Sequence, residues 1–82
     1  MRKSIDFRLV PVPPGDDDDL VPMSWIVCVA DTFDDAEPRV FVVAEEQGQS
    51  NTRQTLYLTA DETRTLRAAL ASALREIGEP ID

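Results

Sequence analysis

Residues 53–78 encode a strand, a helix and both ends of that helix in one unbroken run. Gln54-Thr55-Leu56-Tyr57-Leu58 alternates in the period-two manner of a strand and passes directly into Thr59-Ala60-Asp61-Glu62. That tetrapeptide fits a capping box, in which the Thr59 hydroxyl accepts from the Glu62 backbone N–H and the Glu62 carboxylate accepts from the Thr59 N–H. Two backbone donors that a helix start leaves orphaned are thereby satisfied. Leu66, Ala69, Leu70, Ala73, Leu74 and Ile77 then recur at spacings of three and four, which places them on one helix face. Gly78 supplies a left-handed stop, with Pro80 just beyond. Nothing of comparable quality points to chemistry, so the functional reading rests on charge distribution and elimination.

A chain of 82 residues is expected to form one domain, residues 1–82. A domain of that size buries only about 60 to 65% of the surface its unfolded form exposes, so a second polypeptide is one way to complete the core. The apolar content of 43% is ordinary for a globular protein and too high for a disordered acidic tail. Cys28 is the only cysteine and there is no histidine, which excludes an internal disulfide and the usual zinc and copper ligand sets. Met1-Arg2-Lys3 has the look of a signal-peptide start, but Asp6 and Arg8 interrupt the apolar run that such a peptide needs. No stretch approaches the roughly 20 apolar residues of a membrane span. The chain reads as cytoplasmic, with no membrane partner.

The net charge of -8 is unevenly spread. Residues 1–15 carry three cations against one carboxylate, whereas residues 16–46 carry ten carboxylates against Arg39 alone. The acid gathers in Asp16-Asp17-Asp18-Asp19, in Asp31, Asp34, Asp35 and Glu37, and in Glu45-Glu46. Direct nucleic-acid binding is disfavoured, because affinity for phosphates comes from cations that displace counterions. The expected partner is a basic protein surface.

Three further strands precede the capped unit. Ser4 to Val10 sets Ile5, Phe7 and Leu9 against Ser4, Asp6 and Arg8, the pattern of a half-exposed strand, and Pro11, Pro13 and Pro14 end it. Met23 to Ala30 and Arg39 to Glu45 are apolar on both sides, as central strands are. The fold class expected is therefore α+β: a four-stranded antiparallel sheet with one C-terminal helix packed on one face. One helix covers one face only. Either the Pro11 to Pro22 segment folds over the other, or a second chain does, making Trp25 and Phe41 the residues expected at a self-association surface.

Each acidic cluster has a bland reading beside the functional one. The tetra-Asp run lacks the alternating ligands, fixed Gly and terminal Glu of a calcium loop and reads as a solvated loop. Asp31, Asp34, Asp35 and Glu37 look like a hydrophilic turn rather than an acid–base pair. Cys28 has no histidine to activate it and apolar neighbours on both sides, so it reads as a buried, inert thiol. Arg64, Arg67 and Arg75 are expected roughly opposite the leucine stripe, giving the helix a basic outer face, and Asp61 and Arg64 are spaced for an i, i+3 pair.

The unit Leu56-Tyr57-Leu58-Thr59-Ala60-Asp61-Glu62, followed by Leu66, Ala69 and Leu70, resembles the strand-to-capped-helix unit of small uncharacterised proteins of actinobacteria and their phages. A seven-to-one excess of Arg over Lys agrees with a GC-rich source. The resemblance covers about a quarter of the chain and implies no active site. No P-loop, dinucleotide glycine fingerprint or serine elbow is present, so no cofactor and no catalytic residue is expected.

The expectation is thus a small acidic, non-enzymatic interaction or regulatory protein that engages a basic protein surface through Asp16, Asp17, Asp18 and Asp19 or through Asp34, Asp35 and Glu37. One concrete version is a phage-type inhibitor that fills the groove of a nucleic-acid-binding protein. The alternative is a structural homo-oligomer, a homodimer in its simplest form, whose acidic loops serve solubility only.

Overall fold

A computed structural model describes residues 1–15, 19–48 and 53–82. The chain forms β1 (Arg2–Val10), β2 (Met23–Ala30), β3 (Arg39–Glu46), β4 (Gln54–Leu58) and α1 (Ala60–Glu76). The strands make one antiparallel sheet in the order β1-β2-β3-β4, and α1 contacts β3 and β4, giving the expected α+β architecture.

Pairing register sorts the side chains into two faces. Cys28 lies opposite Phe41 and Phe41 opposite Tyr57, so with Ile26, Ala30 and Val43 they share one face. Trp25, Val27, Val40, Val42 and Leu58 share the other. In β1 the register shifts between Ser4 and Asp6, so Ile5 is the extra residue of a bulge. Ser4 therefore faces the same way as Phe7, opposite Cys28 and Ile26 respectively, rather than the opposite way as strict alternation requires. Every residue of β1 is exposed, Ile5, Phe7 and Leu9 included, because none of the described residues is layered over this edge strand.

The core is small. Cys28, Ala30, Phe41 and Val43 are the buried hydrophobics among the described residues, with Ile26 and Phe33 packed against them. This face carries no helix. Phe33, from the 31–38 connection, meets Tyr57 edge-on at 5.7 Å, and Tyr57 meets Phe41 at 5.6 Å. The Arg2 and Arg39 guanidinium groups each sit 5.2 Å from a ring, over Phe41 and Phe33 respectively. A guanidinium on a ring is attracted by the ring quadrupole while its methylene stem covers apolar surface. Arginine stems and one aromatic thus shield part of the face for which sequence reasoning offered only the proline segment or a second chain.

The helix ends are as sequence chemistry dictates. The Glu62 N–H donates to Thr59 Oγ1 at 3.2 Å and the Thr59 N–H donates to Glu62 Oε1 at 2.9 Å. At the other end Gly78 adopts φ 77°, its N–H donating to the Arg75 carbonyl at 3.0 Å and the Glu79 N–H to the Leu74 carbonyl at 2.9 Å. This is the paired closure of a Schellman motif. Between these caps no helix residue is buried, and Leu70, at the centre of the apolar stripe, is 59% exposed. The helix lies over the Trp25 face but touches it lightly. The radius of gyration, 15.1 Å, exceeds the roughly 12 Å of a compact chain this long.

Candidate functional site

The 31–38 connection holds one acidic cluster in a fixed shape. Arg39 donates from both terminal nitrogens to Asp35, Nη2 to Oδ2 at 2.8 Å and Nη1 to Oδ1 at 3.2 Å. Nη1 also reaches the Glu37 carbonyl at 3.0 Å, and the Glu37 N–H donates to Asp35 Oδ1 at 3.0 Å. These bonds hold the Asp35 carboxyl below its ordinary range and raise Arg39 above its own. Upstream, the Met1 ammonium pairs with Asp31 at 2.6 Å and lowers that carboxyl as well. Ala36, between Asp35 and Glu37, sits at φ 57°, a left-handed conformation costly for a residue with a Cβ. The Ala36 N–H donates to the Phe33 carbonyl at 2.9 Å, closing the turn.

The cluster therefore divides. Asp35 is consumed in holding the loop, whereas Asp34 and Glu37 are exposed, and their carboxylates make no hydrogen bond or ion pair among the described residues. The other cluster precedes β2 in sequence. Asp16, Asp17 and Asp18 fall outside the described residues, and Asp19 is exposed in a turn. Glu45, opposite Ser24 of β2, pairs with Arg53 at 3.2 Å.

The second feature is an open trough of about 870 Å³ between the helix and the sheet. Its sheet wall includes Trp25, Val27 and Val42, and its helix wall includes Leu66, Leu70 and Leu74. Arg64, Arg67 and Arg75 also line it. At 3.6 residues per turn Arg67 lies only about 60° around from Leu70, beside the leucine stripe, whereas Arg64 and Arg75 lie about 120° and 140° from it, roughly opposite. Arg64 also pairs with Asp61 at 2.6 Å, as the spacing predicts. Of the two residues expected at a self-association surface, Trp25 faces this trough; Phe41 is on the other face and only 4% exposed.

Cys28 is a free thiol, buried beside Phe41. Among the described residues no group of three or more His, Cys, Asp or Glu side chains is placed to hold a metal ion, and no helix is long and apolar enough to cross a membrane. Comparison with known proteins finds no matching family model, no matching curated protein and no matching solved structure. The two surfaces must therefore be read from their own chemistry.

Sequence reasoning treated Asp34, Asp35 and Glu37 as equivalent and missed Arg39 and Phe33 as the parts that shape their loop. The ion pair of Asp35 with Arg39 distinguishes the structural carboxylate from its two neighbours, and outside a helix their spacing in sequence does not announce it.

Proposed function

We propose that this chain acts by binding: a small acidic, non-enzymatic interaction protein that engages a basic protein surface through the loop carrying Asp34 and Glu37. The observation that carries the reading is the division of labour in that loop. Asp35, Arg39 and the strained Ala36 hold the backbone, and the exposed Asp34 and Glu37 carboxylates make no hydrogen bond or ion pair among the described residues. Strain of this kind persists only where the surroundings over-determine it, and such positions cluster at functional segments. Preorganised charge also loses less on binding than charge on a loose loop. The net charge of -8 adds long-range attraction for a cationic partner. An antagonist that occupies the groove of a nucleic-acid-binding protein is the concrete form of this reading.

The test is capture from native cytosol on immobilised protein at low and high salt, in parallel with the double variant Asp34→Asn, Glu37→Gln. A Lys- and Arg-rich protein retained at low salt, released at high salt and lost with the variant supports the reading. Retention by the variant equal to that of the parent chain refutes it.

A further inference from the structure

The 9.1 kDa chain exposes 6733 Å², whereas a compact monomer of that mass exposes about 4,900 Å². Folding thus leaves an excess of about 1,800 Å² per chain, and among the described residues no side chain is less than 2% exposed. Two chains together carry an excess of about 3,600 Å², within the range of roughly 2,000 to 5,000 Å² that obligate homodimers bury. Part of the exposed apolar surface lies on and beside the helix, where Leu56 is 58%, Leu70 59% and Ile77 71% exposed, and the larger share lies along β1 and just before β2.

We propose that the trough is the interface of a homodimer. A second copy of the chain places its leucine stripe between α1 and the Trp25, Val27 and Val42 face, and the first copy does the same in return about a two-fold axis. A two-fold contact is self-complementary, so the leucine stripe and the apolar sheet face that each copy lacks a cover for are supplied by the other.

Three observations favour a second copy over other occupants. First, the excess area matches a pair of chains, and an apolar small molecule filling 870 Å³ would leave most of it wet. Second, the charges of the helix are complementary to themselves when two helices run antiparallel. Arg67 in the N-terminal half is unpaired, and at the C-terminal end Arg75 and the three acids Glu76, Glu79 and Asp82 are likewise unpaired among the described residues, leaving that end net negative. Antiparallel apposition brings Arg67 to the net-negative C-terminal end of the partner, and parallel apposition sets the two net-negative ends against each other. Third, edge-to-edge association is obstructed. The outer edge strand carries Arg2, Lys3 and Arg8 and a bulge, and β4 at the other edge has only five residues. Association through a face is what remains.

Sedimentation equilibrium of the intact chain across the micromolar range tests this, together with thermal melts at several protein concentrations. The expected mass is twice 9.1 kDa, with a melting temperature that rises with concentration because association is linked to folding. Leu70→Glu should lower the mass to that of one chain or, if folding needs the partner, lose helical circular dichroism. In a monomer, a residue already 59% exposed would tolerate Glu with neither effect. Phe7→Ser, on the other face, should leave the dimer intact. A wild-type chain that stays monomeric with a concentration-independent melt overturns the proposal, whether or not its trough binds an apolar dye. A dimer dissociated by Phe7→Ser and not by Leu70→Glu overturns it too.

Discussion

Replacing Thr59 with Ala isolates one contact on which the C-terminal helix depends heavily. The hydroxyl accepts from the Glu62 N–H at 3.2 Å, and Ala leaves that donor without its acceptor. Capping residues of this kind contribute about 1 kcal/mol. Here the contribution should not be masked by packing, because none of the 17 helix residues is buried. Most helix stability in proteins comes from packing of an apolar face, and here that packing is light. For 82 residues the entropy of unfolding is about 170 cal/mol/K, so a loss of 1 kcal/mol lowers the melting temperature by about 6 °C. The assay is thermal and urea unfolding followed by far-ultraviolet circular dichroism, with wild type, Thr59→Ala and Thr59→Ser at one protein concentration. Thr59→Ser keeps the hydroxyl and should stay close to wild type. A loss below roughly 0.3 kcal/mol for Thr59→Ala, or equal losses for Ala and Ser, would refute the cap as the determinant of the helix start.

Phe41→Ala should remove about 3 to 5 kcal/mol, a large part of the roughly 4 to 12 kcal/mol expected for a chain of 82 residues; a cooperative melt within about 5 °C of wild type would contradict the assigned core. Cys28, only 8% exposed, should react slowly with a thiol reagent in the folded chain and quickly in denaturant, and equal rates would place it at the surface. Asp31, Asp35 and Glu62 have folded pKa values below their ordinary ones, through the Met1 ammonium, the Arg39 guanidinium and the Thr59 backbone N–H respectively. The unfolded chain therefore binds more protons in acid, so this stabilisation is complete above the ordinary carboxylate range and is lost as pH falls through the lower folded values. The melting temperature should accordingly begin to fall near about pH 4, more gently in Asp35→Asn; an identical acid profile in that variant would mean that the Arg39 pair does not contribute.

Local rules carried most of the fold. The capping box, the glycine stop and four runs of alternating or apolar residues each act over a few positions, and the structure places strands and helix where those rules put them. Three features depend on placement between elements and were not legible. The bulge at Ile5 comes from matching β1 to β2, and alternation alone does not reveal it. The light contact of the helix comes from the distance at which it sits over the sheet, which the leucine stripe of one chain does not encode. The covering of the Phe41 face comes from Phe33, Arg2 and Arg39, side chains far apart in sequence that converge only after the strands pair. In the candidate site, charge type and position were legible. The division between Asp35, which holds the loop, and Asp34 and Glu37, which face solvent, became evident only from the Arg39 hydrogen bonds.

The claim that the Asp34 and Glu37 carboxylates recognise a basic partner is tested most directly by association kinetics against an isolated partner. Rates are measured from about 50 mM to 1 M salt for wild type, for Asp34→Asn, Glu37→Gln, and for a variant with Asp16, Asp17, Asp18 and Asp19 all changed to Asn. Exposed charges act mainly on the encounter rate and are screened within a Debye length of about 8 Å at physiological salt. The account predicts a several-fold slower association for the first variant at low salt, a flatter salt dependence and convergence with wild type at high salt, while the tetra-Asn variant changes much less. Unchanged rates for the first variant, or a dominant effect of the tetra-Asn variant, would contradict it.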